Sequence, residues 1–112
     1  MDQIAFADFD KVDVRVGTVV DAQPFPEARK PAIKLWMDFG EGIGVKQSSA
    51  QLTAHYTADR LIGRQVLAVV NFPPRNIAGF ESQVLVLGVP DENGAVVLLK
   101  PDLKVPDGGR LF

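Results

Sequence analysis

Few residues in this chain are able to do covalent chemistry, and their types narrow the chemistry sharply. There is one histidine, His55, and no cysteine. Thiolate nucleophiles, disulfides and thiolate metal sites are excluded, and no pair of imidazoles can hold a metal or divide acid and base roles. His55 with Ser48 or Ser49 is the one base–nucleophile set the composition offers. No nucleophile-elbow sequence surrounds either serine, and His55 falls in a stretch that reads as helical, with no carboxylate in view to orient it. Asp91-Glu92 reads as a solvated turn and Asp8-Phe9-Asp10 as a helix terminus, so neither carboxylate pair has a spacing that fixes an acid/base couple. Gly40-x-Gly42-x-Gly44 has the glycines of a phosphate loop but lies in a hairpin and opens no helix. No loop has the ligand spacing of a Ca²⁺ or Mg²⁺ site. The sequence therefore predicts no enzyme, no metal and no cofactor.

What remains is chemistry of contact. Trp36 stands in phase with Lys34, which suits stacking beside a phosphate contact; a cover beneath a loop or at a subunit contact fits the same pattern. Asn71, Phe72, Arg75, Asn76, Phe80 and Ser82 gather in a stretch stiffened by Pro73 and Pro74. Two aromatics, a guanidinium and several amides can read a partner by stacking and hydrogen bonds, and the two phenylalanines would equally serve as ordinary packing.

The elements that must position these residues have mostly the period of strands. Val12, Val14 and Val16 alternate with Asp13, Arg15 and Gly17, and Gly17 suggests a bulge or bend. Gln23-Pro24-Phe25-Pro26 reads as the end of that strand. Ile33, Leu35, Met37 and Phe39 mark a second strand, Gly40-Glu41-Gly42 a turn, and Ile43 and Val45 the start of a third. From Ser49 to Gly63 the spacing of Leu52, Tyr56 and Leu61 is nearer helical, with Thr57 as N-cap and Gly63 as stop. Val66 to Val70 and Val84 to Val89 read as buried strands, residues 71–76 as a loop, Asn93-Gly94 as a turn, and Val96 to Leu99 as a last strand. The order predicts an all-β fold: a five-stranded OB-fold barrel with a short helix between strands 3 and 4, plus terminal extensions. One domain is expected over 1–112, its barrel core at about 12–90.

The 112 residues are 46% hydrophobic and 23% charged, the balance of a globular protein, with a net charge of −2. Long-range attraction to phosphate is absent at that charge, so a nucleic-acid reading needs cations placed locally. Residues 24–80 hold seven cations against four anions, and both flanks are acidic. The first residues have neither a basic region nor an apolar stretch of the kind an export signal carries, and no apolar run approaches a membrane span. The expectation is a cytoplasmic protein with no membrane insertion.

The run Val12 to Val20, the stretch Leu61 to Arg75 and Gly79-Phe80-Glu81-Ser82 resemble the tRNA-binding-domain family, to which the C-terminal domain of bacterial methionyl-tRNA synthetases and free-standing tRNA-binding proteins belong. Ala28-Arg29-Lys30-Pro31-Ala32, Lys46 to Thr53, Val70 to Arg75 and Gly79 to Gly88 are more similar to its CsaA branch of export-related chaperones. That resemblance implies a homodimer, joined through its terminal segments 1–10 and 100–112, that binds preproteins or unfolded peptides and contacts the SecA motor. The residues proposed for binding peptide or RNA are Lys46, Ser48, Ser49, Asn71, Phe72, Arg75, Phe80 and Ser82, with Lys30, Lys34 and Arg64 as accessory basic contacts. The alternative is a tRNA binder that uses the same cations on phosphate. Ser82-Gln83-Val84-Leu85 departs from the Ser-x-Gly-Met of the tRNA binders, and Ser48-Ser49 from their Ser-Gly.

Overall fold

Leu35, Met37 and Phe39 are fully buried, and each alternates with a residue that is not. That period of two forces extended chain, because only a strand sends successive side chains to opposite faces. The computed structural model describes residues 1–112. Its elements run α1 (Phe6–Asp10), β1 (Val14–Phe25), β2 (Ala32–Asp38), β3 (Val45–Ala50), α2 (Ala58–Leu61), β4 (Gln65–Val69), β5 (Arg75–Ile77), β6 (Phe80–Ser82), β7 (Leu85–Val86), β8 (Gly88–Pro90) and β9 (Val96–Leu98). Five of them form one antiparallel sheet in the order β3-β2-β1-β4-β7, with β5–β6 and β8–β9 as separate hairpins. The sheet curls into a half-barrel with α2 between its third and fourth strands, the OB-fold expected.

The curl depends on β1. Its first half pairs with β4, from Val14↔Val69 to Thr18↔Gln65, and its second half pairs with β2, from Thr18↔Asp38 to Phe25↔Ala32. One long strand thus serves two sheet halves, and a bulge between Val19 and Asp21 re-aims it between them. The far edges meet without a regular ladder. The Gln83 N–H donates to the Gln47 carbonyl (2.8 Å), the Gln47 N–H to Gln83 Oε1 (3.0 Å) and the Ser49 N–H to Ser82 Oγ (3.2 Å). Inside lies one cluster with Leu35, Met37, Phe39, Leu52, Leu61 and Val66 at its centre. Each such side chain contributes roughly 2 kcal/mol by leaving water.

The structure corrects several details of the expected elements. The irregularity in β1 lies at Val20, not Gly17; Gly17 is needed because the Phe39 ring lies on it, with Cε1 2.7 Å from where a Cβ would stand. β1 continues through Pro24, which pairs with Ile33. β4 has already left β1 there, so the missing Pro24 N–H costs no ladder bond on that side. Ser49 belongs to β3, and helix in this stretch is confined to Ala58–Leu61; Thr57 stands at the N-cap position as expected, but its side chain makes no capping bond. Residues 75–82 are not loop. They form the β5–β6 hairpin, turned by Ala78 (φ 49°) and Gly79 (φ 84°), and Ala78 is the one non-glycine residue with positive φ. That two-residue turn is the mirror-image kind that matches strand twist. The run Val84–Val89 splits into β7 and β8, with Leu85 and Val89 exposed, because only Val84 reaches the interior.

Candidate functional site

Ser48 and Ser82 lie side by side at the seam of the half-barrel. Both are buried, and Ser82 Oγ is 3.3 Å from Ser48 Oγ. Ser82 Oγ also accepts the Ser49 N–H, so these two hydroxyls are committed to closing the barrel. Burying two hydroxyls is tolerable because they satisfy each other. Above the seam opens a cavity of about 450 Å³. Its walls are mostly apolar: Leu52, Ile77, Val84 and Val86, with Phe72 at the rim. Phe72 is 50% exposed, so its ring packs into no core.

The β5–β6 hairpin hangs over this cavity and is anchored from outside the barrel. The Phe80 ring meets Phe25 and Trp36 edge-on, at 5.6 and 5.8 Å between centroids. Lys34 Nζ sits 4.6 Å from the Phe25 centroid and 5.0 Å from that of Phe80, an attraction between the cation and the negative ring faces. Trp36 Nε1 donates to Gln47 Oε1 (3.1 Å). Lys34 and Trp36 share the outward face of β2, as strand phase predicts, and both are engaged by Phe80, so they hold the hairpin. Phe80 positions Ile77, its neighbour across β5–β6, and Arg75 over the cavity.

The structure brings Ser48, Ser49, Phe72, Arg75 and Ser82 together around one cavity. It places the other candidates elsewhere. Asn71 ties α1 to the barrel: its Oδ1 accepts the Asp13 N–H (3.0 Å) and its Nδ2 donates to the Lys11 carbonyl (2.8 Å). Lys46 stands on β3 opposite Met37 and is outside the lining. The Arg64 guanidinium lies 5.3 Å over the Tyr56 ring, away from the cavity, with its Nε buried and without a hydrogen bond. Lys30 lies in an adjoining cleft. The walls from Ile77, Val84, Val86 and Val96 were not foreseen. The signal was present as Ile77-Ala78-Gly79-Phe80, a short turn between apolar residues.

His55 corrects the sequence reading. It lies in a turn, and its Nε2 is 2.7 Å from Asp91 Oδ2. Asp91 Oδ1 accepts the N–H groups of Asn93 (2.8 Å) and Ala95 (2.9 Å). The pair clamps the turn before α2 onto the β8–β9 turn, beside cavity residue Val96. The hydrogen bond from His55, then the two backbone donors, holds the Asp91 carboxyl below its ordinary 3.8. A depressed carboxyl adds stability above its unfolded pKa and loses it as pH falls through the folded value. Asp91→Asn is therefore expected to lower the melting temperature at pH 7, with the deficit vanishing on the acid side of pH 3.8. Thermal melts of both proteins from pH 7 to 2 measure it; a deficit constant across that range would contradict the clamp.

No group of three His, Cys, Asp or Glu side chains is placed to hold a metal ion, and no helix is long and apolar enough to cross a membrane. A half-barrel with an apolar cavity at its seam and a cation at the rim makes this a small OB-fold module. The chain belongs to the tRNA-binding-domain family, in its CsaA branch: the family described as "Putative tRNA binding domain" matches residues 14–110. The chaperone CsaA of Bacillus anthracis strain Ames is 53% identical, with a TM-score of 0.93 over 99% of this chain and 100% of that one. The CsaA chaperone of Picrophilus torridus is 49% identical, with a TM-score of 0.90 over 98% and 100%. The methionine–tRNA ligase of Porphyromonas gingivalis is 34% identical over 110 residues, which are 98% of this chain and 16% of the ligase. The chain thus spans about a sixth of the ligases it matches.

Proposed function

We propose that this protein is a CsaA-like chaperone that binds unfolded polypeptide segments, preproteins among them, in the seam cavity, and catalyses no reaction. The observation that carries the reading is the cavity itself: about 450 Å³, walled by Leu52, Ile77, Val84 and Val86, with half-exposed Phe72 at its mouth. Apolar burial is non-directional, so such a hollow accepts many sequences. The likeness to two CsaA chaperones supports it. Action as a cytoplasmic homodimer in contact with SecA follows the same likeness. The terminal segments favour association, since Ile4, Phe6, Leu103 and Phe112 are all more than two-thirds exposed. Apolar side chains concentrated this way mark a contact surface.

Binding of a permanently unfolded chain, such as a reduced and alkylated protein, tests the reading by fluorescence anisotropy. Phe72→Ser removes the rim ring without disturbing the core, and about a tenfold loss of affinity is expected. Absence of affinity for any unfolded chain would end the proposal. The second reading, tRNA binding, rests on the family match. It predicts affinity for total tRNA that falls steeply with salt.

A further inference from the structure

The cavity continues beyond its apolar walls. A second cleft of about 270 Å³ adjoins it, and the two share Ser49, Gln51, Arg75 and Ile77. Arg29, Lys30 and Arg75 line this cleft with no carboxylate among them. Ion pairs hold Lys11 to Asp8, Arg15 and Arg110 to Asp13, and His55 to Asp91, and the other cations are unpaired; this cleft gathers three of the unpaired ones in its lining. Arg29, Lys30 and Arg75 join no ion pair, in a protein whose net charge is −2. Three like charges around one cleft repel one another, and an anion brought between them relieves that repulsion.

At the junction, the Ser49 hydroxyl and the Gln51 amide line both hollows. The Ser48 and Ser82 hydroxyls are spent within the barrel, whereas the Ser49 and Gln51 side chains, on residues lining both hollows, make no hydrogen bond within the protein and are free for a ligand's main chain. We infer that the two hollows act as one composite groove that selects extended polypeptide segments carrying a large apolar side chain with a carboxylate close by. This rests on the peptide-binding reading and adds a selectivity to it. A nucleic-acid strand fits less well, because its phosphates recur along the whole chain, whereas here the cations cluster at one end and the rest of the groove is uncharged and mostly apolar.

Fluorescein-labelled nine-residue peptides in a Gly/Ser background test it. Each carries a central Leu and, at one to four positions away, Glu, Gln or Lys. Amidated and free-acid versions separate a side-chain carboxylate from a C-terminal one, and tightening by either supports the groove. Glu peptides are expected to bind about three- to tenfold tighter than Gln peptides at low salt, as for one or two partly screened ion pairs. The ratio should shrink toward one at 0.5 M salt, where the Debye length falls to about 4 Å. The Arg75→Gln/Lys30→Gln double variant should bring the Glu-to-Gln ratio near one at low salt as well. Both residues are exposed, and a thermal melt checks that the variant folds. Equal binding of Glu and Gln peptides at low salt, with no gain from the free acid over the amide, would overturn the composite groove and leave the peptide reading standing. A Glu peptide with Leu replaced by Ser that binds as well would overturn it too, since the cavity would then take no part. Failure of every peptide to bind, with salt-sensitive binding of an RNA oligonucleotide, would overturn both.

Discussion

Deleting residues 103–112 is expected to lower the melting temperature by about 15 °C or more and to leave monomer or aggregate. The tail is bonded to the barrel along its length. The Val16 N–H donates to the Gly109 carbonyl (3.0 Å), Gly108 N–H to Val16 (2.8 Å) and Leu111 N–H to Val14 (2.9 Å), so the tail runs as a short extra strand on β1. Those bonds use the β1 edge below the point where β2 begins to pair. Side chains lock it further. Thr18 Oγ1 donates to Asp107 (2.6 Å), Gln65 exchanges bonds of 2.7 and 3.1 Å with the Val105 backbone, and Arg15 donates to the Gly108 carbonyl (3.0 Å). Arg15 also grips Asp13, and that hydrogen bond holds the Asp13 carboxyl below its ordinary value; Arg110 lies 3.6 Å from the same carboxylate. At about 0.5–1 kcal/mol net for each bond, the tail contributes on the order of 4–6 kcal/mol, or roughly 4 °C per kcal/mol in a domain of this size. The deletion also bares a strand edge, which is a template for aggregation. Thermal melts with analytical sedimentation measure both effects. A truncated protein that melts within a few degrees of the full chain and sediments as an intact dimer would refute the account.

Phe39→Ala is expected to cost about 3–5 kcal/mol, the cost of emptying a large core site. The ring is fully buried, and it lies against the bare backbone of Gly17, where a Cβ would sit 2.7 and 2.8 Å from two ring atoms. The converse change, Gly17→Ala, should cost about 1–3 kcal/mol by overpacking. The two residues compete for one space, so their effects should not add. The Gly17→Ala/Phe39→Ala protein should be more stable than the sum of the single changes by about 1–2 kcal/mol, because the new methyl enters the space the ring leaves. Urea unfolding of the four proteins completes the cycle. Strict additivity would mean that Gly17 is tolerated for its backbone freedom alone.

The same pair shows how far the sequence was legible. A glycine within a valine-rich strand signals that something unusual happens there, and the alternation around it assigns the strand correctly. It does not say whether the glycine relieves a bend or admits a neighbour, because the neighbour is more than twenty residues away. The site divides in the same way. Phe72 and Arg75 were readable as a stiffened group with recognition chemistry. Asn71, beside them in the chain, faces the other way and staples α1, since strand ends turn successive side chains apart. Arg64 had the charge for a phosphate contact, but packing laid it over Tyr56.

By itself, then, the sequence determined the strand order, the place of the short helix and the lack of histidine pairs and thiols, because periodicity and composition are local properties. Only the tertiary structure decided which polar groups are spent and which are free. Ser48 and Ser82 are consumed in closing the barrel, and Asp91 is taken by His55. Arg29, Lys30 and Arg75 are left without an anion around one cleft. Whether a charge or hydroxyl has a partner depends on what the fold brings within about 3 Å of it, and no run of neighbouring residues encodes that distance.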